Sequence, residues 1–217
     1  IIFIMKKSNI LCHRGLWSKK NNQNSIESFK NAFSDGFSIE IDIRDYNSKL
    51  IVSHDPPNGL DKYMSFDLVL DLYNELDCKE QIIGINIKSD GIAEHVKDSL
   101  SEYNIKNYFT FDMSLPEMIK YINLDLVFLN RISEYENQNT FTELSSGIWL
   151  DAFKDEWYSE NFLKNLLNMN KNIFFVSSEL HNRDYNKQWG LIKKLLPSDK
   201  VFLCTDHPYK AKEYFND

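Results

Sequence analysis

Glycine is scarce in this 217-residue chain, with seven in all, and no Gly-rich loop of the kind that cradles a nucleotide pyrophosphate follows the first apolar run. Cysteine is scarcer. Cys12, Cys78 and Cys204 form an odd set with no short paired spacing, which excludes a disulfide framework, a zinc knuckle and a dithiol redox motif and leaves three reduced packing residues. A basic excess is missing too: 25 Lys and Arg stand against 32 Asp and Glu, a formal charge of -7. A broad electrostatic grip on nucleic acid is therefore excluded, and any recognition of phosphate has to be local. Long apolar runs are absent, since Ile1-Ile2-Phe3-Ile4 is far too short for a signal sequence or a membrane span. Met5 reads as a natural start, which makes residues 1–4 an upstream extension and the protein cytoplasmic. No basic amphipathic helix offers stable membrane association, and no repeat, low-complexity tract or linker divides the chain.

What is present is enough apolar material, 42% hydrophobic and 14% aromatic, to bury one sizeable core. Residues 1–217 are accordingly read as a single domain. Apolar runs at Asn9 to Cys12, Phe37 to Ile43, Leu50 to Ser53, Ile83 to Ile87, Tyr108 to Phe111, Leu124 to Leu129, Gly147 to Leu150, Asn172 to Val176 and Lys200 to Cys204 read as strands. Helical patterns such as Ser25 to Asp35 and Gly91 to Glu102 lie between most of them. Leu50 to Ser53 follows its predecessor after only Asp45-Tyr46-Asn47-Ser48, so it is predicted to be a hairpin partner rather than a stave. Eight strands with intervening helices remain. They predict an α/β fold, a (β/α)8 TIM barrel, with an open doubly wound sheet as the competing arrangement. Polar residues recurring at the carboxyl ends of the strands, His13, Asp42, Lys88, Asp112, Arg131, Asp151, Glu179 and Asp206, favour the barrel, whose sites are built on that face.

Strand residues two apart point the same way, so Glu40 and Asp42 share one face while Ile39, Ile41 and Ile43 take the other. Asn86 and Lys88 are paired likewise. Burying the paired carboxylates and a lysine in an apolar shell is costly unless they neutralise one another or bind an ion. One solution is a divalent cation on Glu40, Asp42 and the amide oxygen of Asn86, where hard oxygen donors suit Mg²⁺ or Ca²⁺. The other is internal pairing of the acids with Arg14 or Lys88. His13 and His54, each at a strand end beside a charged residue, are candidate proton carriers, against the blander role of satisfied core histidines.

These stretches resemble the glycerophosphodiester phosphodiesterase family, within the phosphatidylinositol-phospholipase-C-like phosphodiesterase barrels. The likeness rests on His13-Arg14-Gly15, Gln23-Asn24-Ser25, Glu40-Ile41-Asp42, His54-Asp55, Asn86-Ile87-Lys88 and the closing Cys204-Thr205-Asp206-His207-Pro208. Three departures stand out: Asn86 replaces a third metal carboxylate, Gln23 replaces a glutamate, and only Pro56 to Ser65 separate His54 from the next helix, where the family commonly inserts a cap. The resemblance implies a metal-dependent phosphoric diester hydrolase acting on a small glycerophosphodiester-like or sugar-alcohol diester, by way of a cyclic phosphate. It implies catalytic roles for His13, His54, Arg14 and Lys88, and metal ligation by Glu40, Asp42 and Asn86. Arg131, Asp151 and Glu179 are then candidates for the alcohol portion, with neighbouring ion pairing as their alternative role. Two other functions stay open: a phosphate-ligand-binding barrel with little turnover, and a phospholipase or lyase that stops at the cyclic product.

Overall fold

A computed structural model describes residues 5–59, 62–196 and 198–216; the predicted upstream extension, residues 1–4, lies outside the described residues. The strands are β1 (Ile10–His13), β2 (Ser38–Tyr46), β3 (Lys49–Val52), β4 (Ile83–Ile87), β5 (Tyr108–Phe111), β6 (Leu129–Ile132), β7 (Gly147–Leu150), β8 (Asn172–Val176) and β9 (Val201–Thr205). Between them run α1 (Ile26–Ser34), α2 (Phe66–Glu75), α3 (Ala93–Glu102), α4 (Leu115–Asn123), α5 (Thr140–Leu144), α6 (Glu160–Asn168) and α7 (Asn186–Lys193), and α8 (Pro208–Asn216) follows the last strand. Several helices start where the sequence supplies a cap: Ser25, Ser65, Ser114 and Ser159 each accept from a backbone N–H in the first turn of α1, α2, α4 and α6.

Strands join in the order β5-β4-β2-β1-β9-β8-β7-β6, every pairing parallel. The two ends meet through a single Thr110–Phe128 bridge, with the Thr110 N–H donating to the Val127 carbonyl at 2.9 Å. The result is a nearly closed (β/α)8 barrel. As predicted, β3 stands apart as an antiparallel partner of β2. The connecting Asn47 and Ser48 both adopt positive φ, 50° and 59°, the backbone that lets two residues reverse a twisted hairpin.

Alternation along the staves builds two apolar layers. Ile39, Ile41, Ile43, Ile83, Ile85 and Ile87 face outward and pack with Phe29, Val69 and Val96 of the helices. Leu11, Phe109, Phe111, Leu129, Trp149, Phe174 and Phe202 fill the lumen. Phe174 stacks on Phe202 at 4.3 Å by ring centroid and meets the tilted ring of Phe109 at 4.4 Å. Gly84 makes room for this layer, because a Cβ there would meet the Phe109 ring at 2.8 Å. The sequence pattern places Phe174 and Phe175 together as packing residues; the barrel divides them between lumen and helix layer.

β1, β3 and β9 are each displaced by one residue from their predicted bounds, β2 runs on to Tyr46, and β6 departs most. The apolar run Leu124 to Leu129 is not a stave: Leu124 caps α4, Asp125 turns the chain at φ 54°, and Leu126 donates back to Tyr121, so β6 begins only at Leu129. Arg131 consequently lies within β6 rather than beyond it. All three cysteines are free and buried. Among the described residues no helix is long and apolar enough to cross a membrane.

Candidate active site

The centre of the carboxyl-terminal face is built by β1, β2 and β4. His13 ends β1 and sits beside Glu40 in register, while Asp42 pairs with Asn86 across β2 and β4. After His13 the chain turns sharply: Arg14 has φ 58° and Gly15 φ 88°. The turn is held at both sides, since Asn24 donates its N–H to the Arg14 carbonyl at 2.9 Å and Leu16 donates to the Ser28 carbonyl at 2.9 Å. Its effect is to aim the Arg14 backbone N–H at Glu40 Oε2, 3.1 Å away, and the Arg14 guanidinium at Asp42.

Glu40 and Asp42 are almost wholly buried, yet they lie in different electrostatic surroundings. Asp42 meets Arg14 Nε at 3.1 Å and Lys88 Nζ at 3.2 Å, and accepts from Asn24 Nδ2 at 2.8 Å. Burial opposes its ionisation, but the two cations and the amide outweigh burial and hold its pKa below the usual carboxylate value. Glu40 accepts from the Arg14 N–H and from Asn86 Nδ2 at 3.2 Å, with no cation in direct contact among the described residues. Burial, then the charge of Asp42, push it up to about 7. Internal pairing with Arg14 and Lys88 is therefore realised for Asp42 and not for Glu40.

His13 donates or accepts through Nδ1 to Asp206 Oδ1 at 2.7 Å, which leaves Nε2 for a reacting group. Burial works to lower its pKa, but the Asp206 hydrogen bond and the charges of Glu40 and Asp206 prevail, and the net shift is upward. Asp206 is itself positioned, because its N–H donates to Glu179 Oε1 at 3.2 Å. Glu179 also accepts from the hydroxyls of Ser177 and Thr205, so its carboxylate is engaged within the protein. His54 is more open, 43% exposed, with Nδ1 at 2.8 Å from Asp55 Oδ1. Arg44 ties its backbone to the barrel, reaching the carbonyls of both His54 and Lys88. His54, Arg14 and Asn24 line one cavity of about 440 Å³.

Of the other predicted positions, Arg131 contacts Asp112 at 3.2 Å and Glu136 at 2.9 Å, and lines a second cavity together with Lys88. Asp151 pairs with His181 Nε2 at 2.6 Å and accepts from the Ala152 N–H, on the far side of the ring. Residues outside the predicted site set take part in this geometry, among them Asn24, Asp206 and Asp112. Asn24 and Asp206 stand inside the quoted motifs, and Asp112 is one of the strand-end polar residues, so a signal for each was present in the sequence.

Two buried carboxylates and one amide stand on the adjacent strands β2 and β4. Asn86 Oδ1 is buried with no hydrogen-bond partner among the described residues, beside Glu40 and across the register from Asp42. No group of three His, Cys, Asp or Glu side chains suited to a metal occurs among the described residues. The donor set is instead two carboxylates and one amide, and the orphaned amide oxygen fits a hard divalent cation such as Mg²⁺ or Ca²⁺.

Fold and site together define a (β/α)8 barrel that carries buried acids, fixed cations and two imidazoles on the face where such barrels assemble chemistry. No protein-family model matches the sequence, and no curated protein sequence matches it. Solved structures do match the fold. A glycerophosphodiester phosphodiesterase from Parabacteroides distasonis aligns over 97% of this chain and 97% of its own, with TM-score 0.70 at 18% identity. Another from Agrobacterium tumefaciens aligns over 96% and 99%, with TM-score 0.67 at 15% identity. A Ca²⁺-dependent phosphatidylinositol-specific phospholipase C from Streptomyces antibioticus aligns over 95% and 98%, with TM-score 0.56 at 8% identity.

Proposed function

We propose that the protein is a divalent-cation-dependent phosphodiester hydrolase of the cytoplasm that acts on a small glycerophosphodiester-like or sugar-alcohol diester. The observation that supports this reading most is the meeting of His13, Arg14, Glu40, Asp42, Asn86 and Lys88 on three adjacent staves, with His54 on the same side as Arg14. Each group then has a chemical task. Arg14 and Lys88 hold phosphate oxygens and offset the charge that grows in the transition state. Glu40, Asp42 and Asn86 hold the cation, which when bound supplies Lewis-acid stabilisation of the same oxygens. His13 and His54 divide the acid and base roles: one accepts the proton of an attacking substrate hydroxyl while the other protonates the departing alkoxide. Their roles reverse when water opens the resulting cyclic phosphate. Asp206 fixes the His13 ring through Nδ1, so proton transfer takes place at Nε2.

Asn86, an amide where a third carboxylate would bind the ion more strongly, favours one alternative, a barrel that holds phosphate ligands with little turnover. The test is alcohol release from glycerophosphodiesters and from an aryl phosphodiester, in EDTA and with added Mg²⁺ or Ca²⁺. Release that depends on the ion is expected. No turnover of either substrate under any condition overturns the proposal, and a cyclic phosphate that persists reassigns the enzyme as a lyase.

A further inference from the structure

A cleft of about 340 Å³ opens in the outer wall of the barrel between α1 and α8, apart from the cavities that Arg14 and Lys88 line, and it falls within the range of small-molecule sites. Its walls include Leu16 and Trp17 of the loop after β1, Ser34 and Asp35 at the end of α1, and Tyr209 in the first turn of α8. Two of these walls carry the two halves of the His13–Asp206 pair. Trp17 donates its indole N–H to the His13 carbonyl at 2.9 Å, and Tyr209 stands on the turn Asp206-His207-Pro208-Tyr209 that leads into α8. A molecule seated against both rings therefore bears on the 2.7 Å contact between His13 Nδ1 and Asp206 Oδ1.

The lining selects the occupant. Asp35 is the one charged side chain that lines the cleft among the described residues, which disfavours an anion. Its Oδ2 accepts from the Tyr209 hydroxyl, and its Oδ1 has no hydrogen bond or ion pair among the described residues. That hydrogen bond, then burial, push the Tyr209 hydroxyl up to about 12, so near neutral pH it remains a donor to Oδ2 and leaves Oδ1 as the open acceptor. Lys7 does not fill this place: its ammonium donates to the Asp35 backbone carbonyl at 2.7 Å and lies 5.3 Å from the centroid of the Phe37 ring. Phe37 in turn packs edge-on against Tyr209 at 5.5 Å and holds that ring. Trp17 makes no ring contact among the described residues, so its indole face is free for a cation or an apolar body.

An ammonium that bears N–H groups satisfies both features, donating to Asp35 Oδ1 while its charge and attached carbons lie on Trp17 and Leu16; a quaternary ammonium has no proton to donate. We propose that this cleft is a second ligand site, for a small primary ammonium with an apolar body, and that its occupancy is coupled to the His13–Asp206 pair through Trp17. The site goes beyond the hydrolase reading, because its residues lie outside the phosphate-holding cluster.

The test uses the full chain with phenethylammonium, and with phenylacetate as a ligand of similar shape and opposite charge. Calorimetry is expected to show saturable binding of phenethylammonium that Asp35→Asn weakens about 10-fold or more, and no binding of phenylacetate. Asparagine keeps an acceptor for the Tyr209 hydroxyl, and an unchanged melting temperature checks that the variant is folded; the comparison of the two ligands on the wild type needs no variant. Coupling is read at fixed pH in the imidazole ¹⁵N resonances of His13, assigned with His13→Gln. Saturation with phenethylammonium is expected to shift them in the wild type. Trp17→Phe, which keeps a ring and loses the indole N–H, is expected to bind the ligand without the shift. No binding of phenethylammonium, equal binding of phenylacetate, or equal affinity in folded Asp35→Asn overturns the site. Binding that leaves the His13 resonances in place, or a shift that survives in Trp17→Phe, overturns the coupling. Neither readout requires turnover, so a wild type that cleaves no diester sinks the hydrolase reading and leaves this site to be decided by its own measurements.

Discussion

Glu40 and Asp42 sit two residues apart on one strand face, yet the protein treats them differently. Asp42 lies against Arg14, Lys88 and Asn24, whereas Glu40 has only two N–H donors among the described residues and is pushed up to about 7. A cation placed between them would relieve Glu40 more than Asp42. Replacing Asn86 by glutamate adds a third acid to this point, and Asn86→Glu is expected to tighten Mg²⁺ or Ca²⁺ binding by calorimetry; unchanged or weaker affinity removes position 86 from the ligand set. The histidines carry a separate expectation. His13→Ala and His54→Ala should each lower turnover on the order of 10² to 10⁴-fold with little change in far-UV circular dichroism. Wild-type rates in both would remove the acid–base assignment. At this scale the sequence was informative wherever residue type and strand period acted together, as at Glu40, Asp42, Asn86 and Lys88. It was less so for Glu179 and Asp151, whose predicted role in holding the alcohol was argued from strand-end position alone. Their carboxylates are engaged by the Asp206 N–H and by His181, partners that become neighbours only once distant staves close into a ring.

Among the elements, the turn from β1 to α1 does the most to place the site. Gly15 adopts φ 88°, and a Cβ there would lie 2.3 Å from Ser28 Oγ and 2.9 Å from the Ser28 backbone carbon. The first clash yields to a rotation of the serine, while the second needs movement of α1. Gly15→Ala should therefore cost about 2 kcal/mol or more in stability, measured by urea unfolding, and should also move the Arg14 N–H away from Glu40. A loss below about 0.5 kcal/mol would mean that α1 yields freely. The glycine was visible in the motif, but the reason for it is a contact with Ser28, which belongs to the next helix. The hairpin of β2 and β3 was legible because the predicted turn, Asp45 to Ser48, is too short for a crossover; the structure shortens it further to Asn47 and Ser48, with Asp45 and Tyr46 paired in β2. The run from Leu124 was not, because hydropathy alone cannot separate the end of an amphipathic helix from the start of a stave. There Asp125 and the return bond from Leu126 to Tyr121 decide the boundary.

Across the whole molecule, charge is fixed at several buried points away from the proposed chemistry. Glu156 is one: its side chain is 7% exposed, Arg183 Nη1 lies 2.6 Å away, and Ser178 donates its hydroxyl at 2.9 Å. Burial acts against its ionisation, but Arg183 and Ser178 outweigh burial and hold its pKa below the ordinary 4.5. A carboxylate with a depressed folded-state pKa contributes stability that is present above the unfolded value and lost as pH falls through the folded one. Glu156→Gln is expected to cost about 1–3 kcal/mol at pH 7. The gap from wild type should narrow as the pH drops below 4.5, read from urea midpoints at pH 7, 5 and 3.5. A gap that stays constant would show that the carboxylate charge contributes nothing.

The overall architecture was the most readable level of all, since alternating strand and helix patterns with polar strand ends leave few arrangements open. What the pattern concealed is how the lumen is filled. The rings of Phe109, Phe174 and Phe202 form a continuous layer across the inside of the barrel beneath the polar face. That layer is the floor of the polar face. Whatever approaches from the mouth meets packed rings rather than a channel, so approach and departure both take place on the one side of the barrel that carries the polar residues.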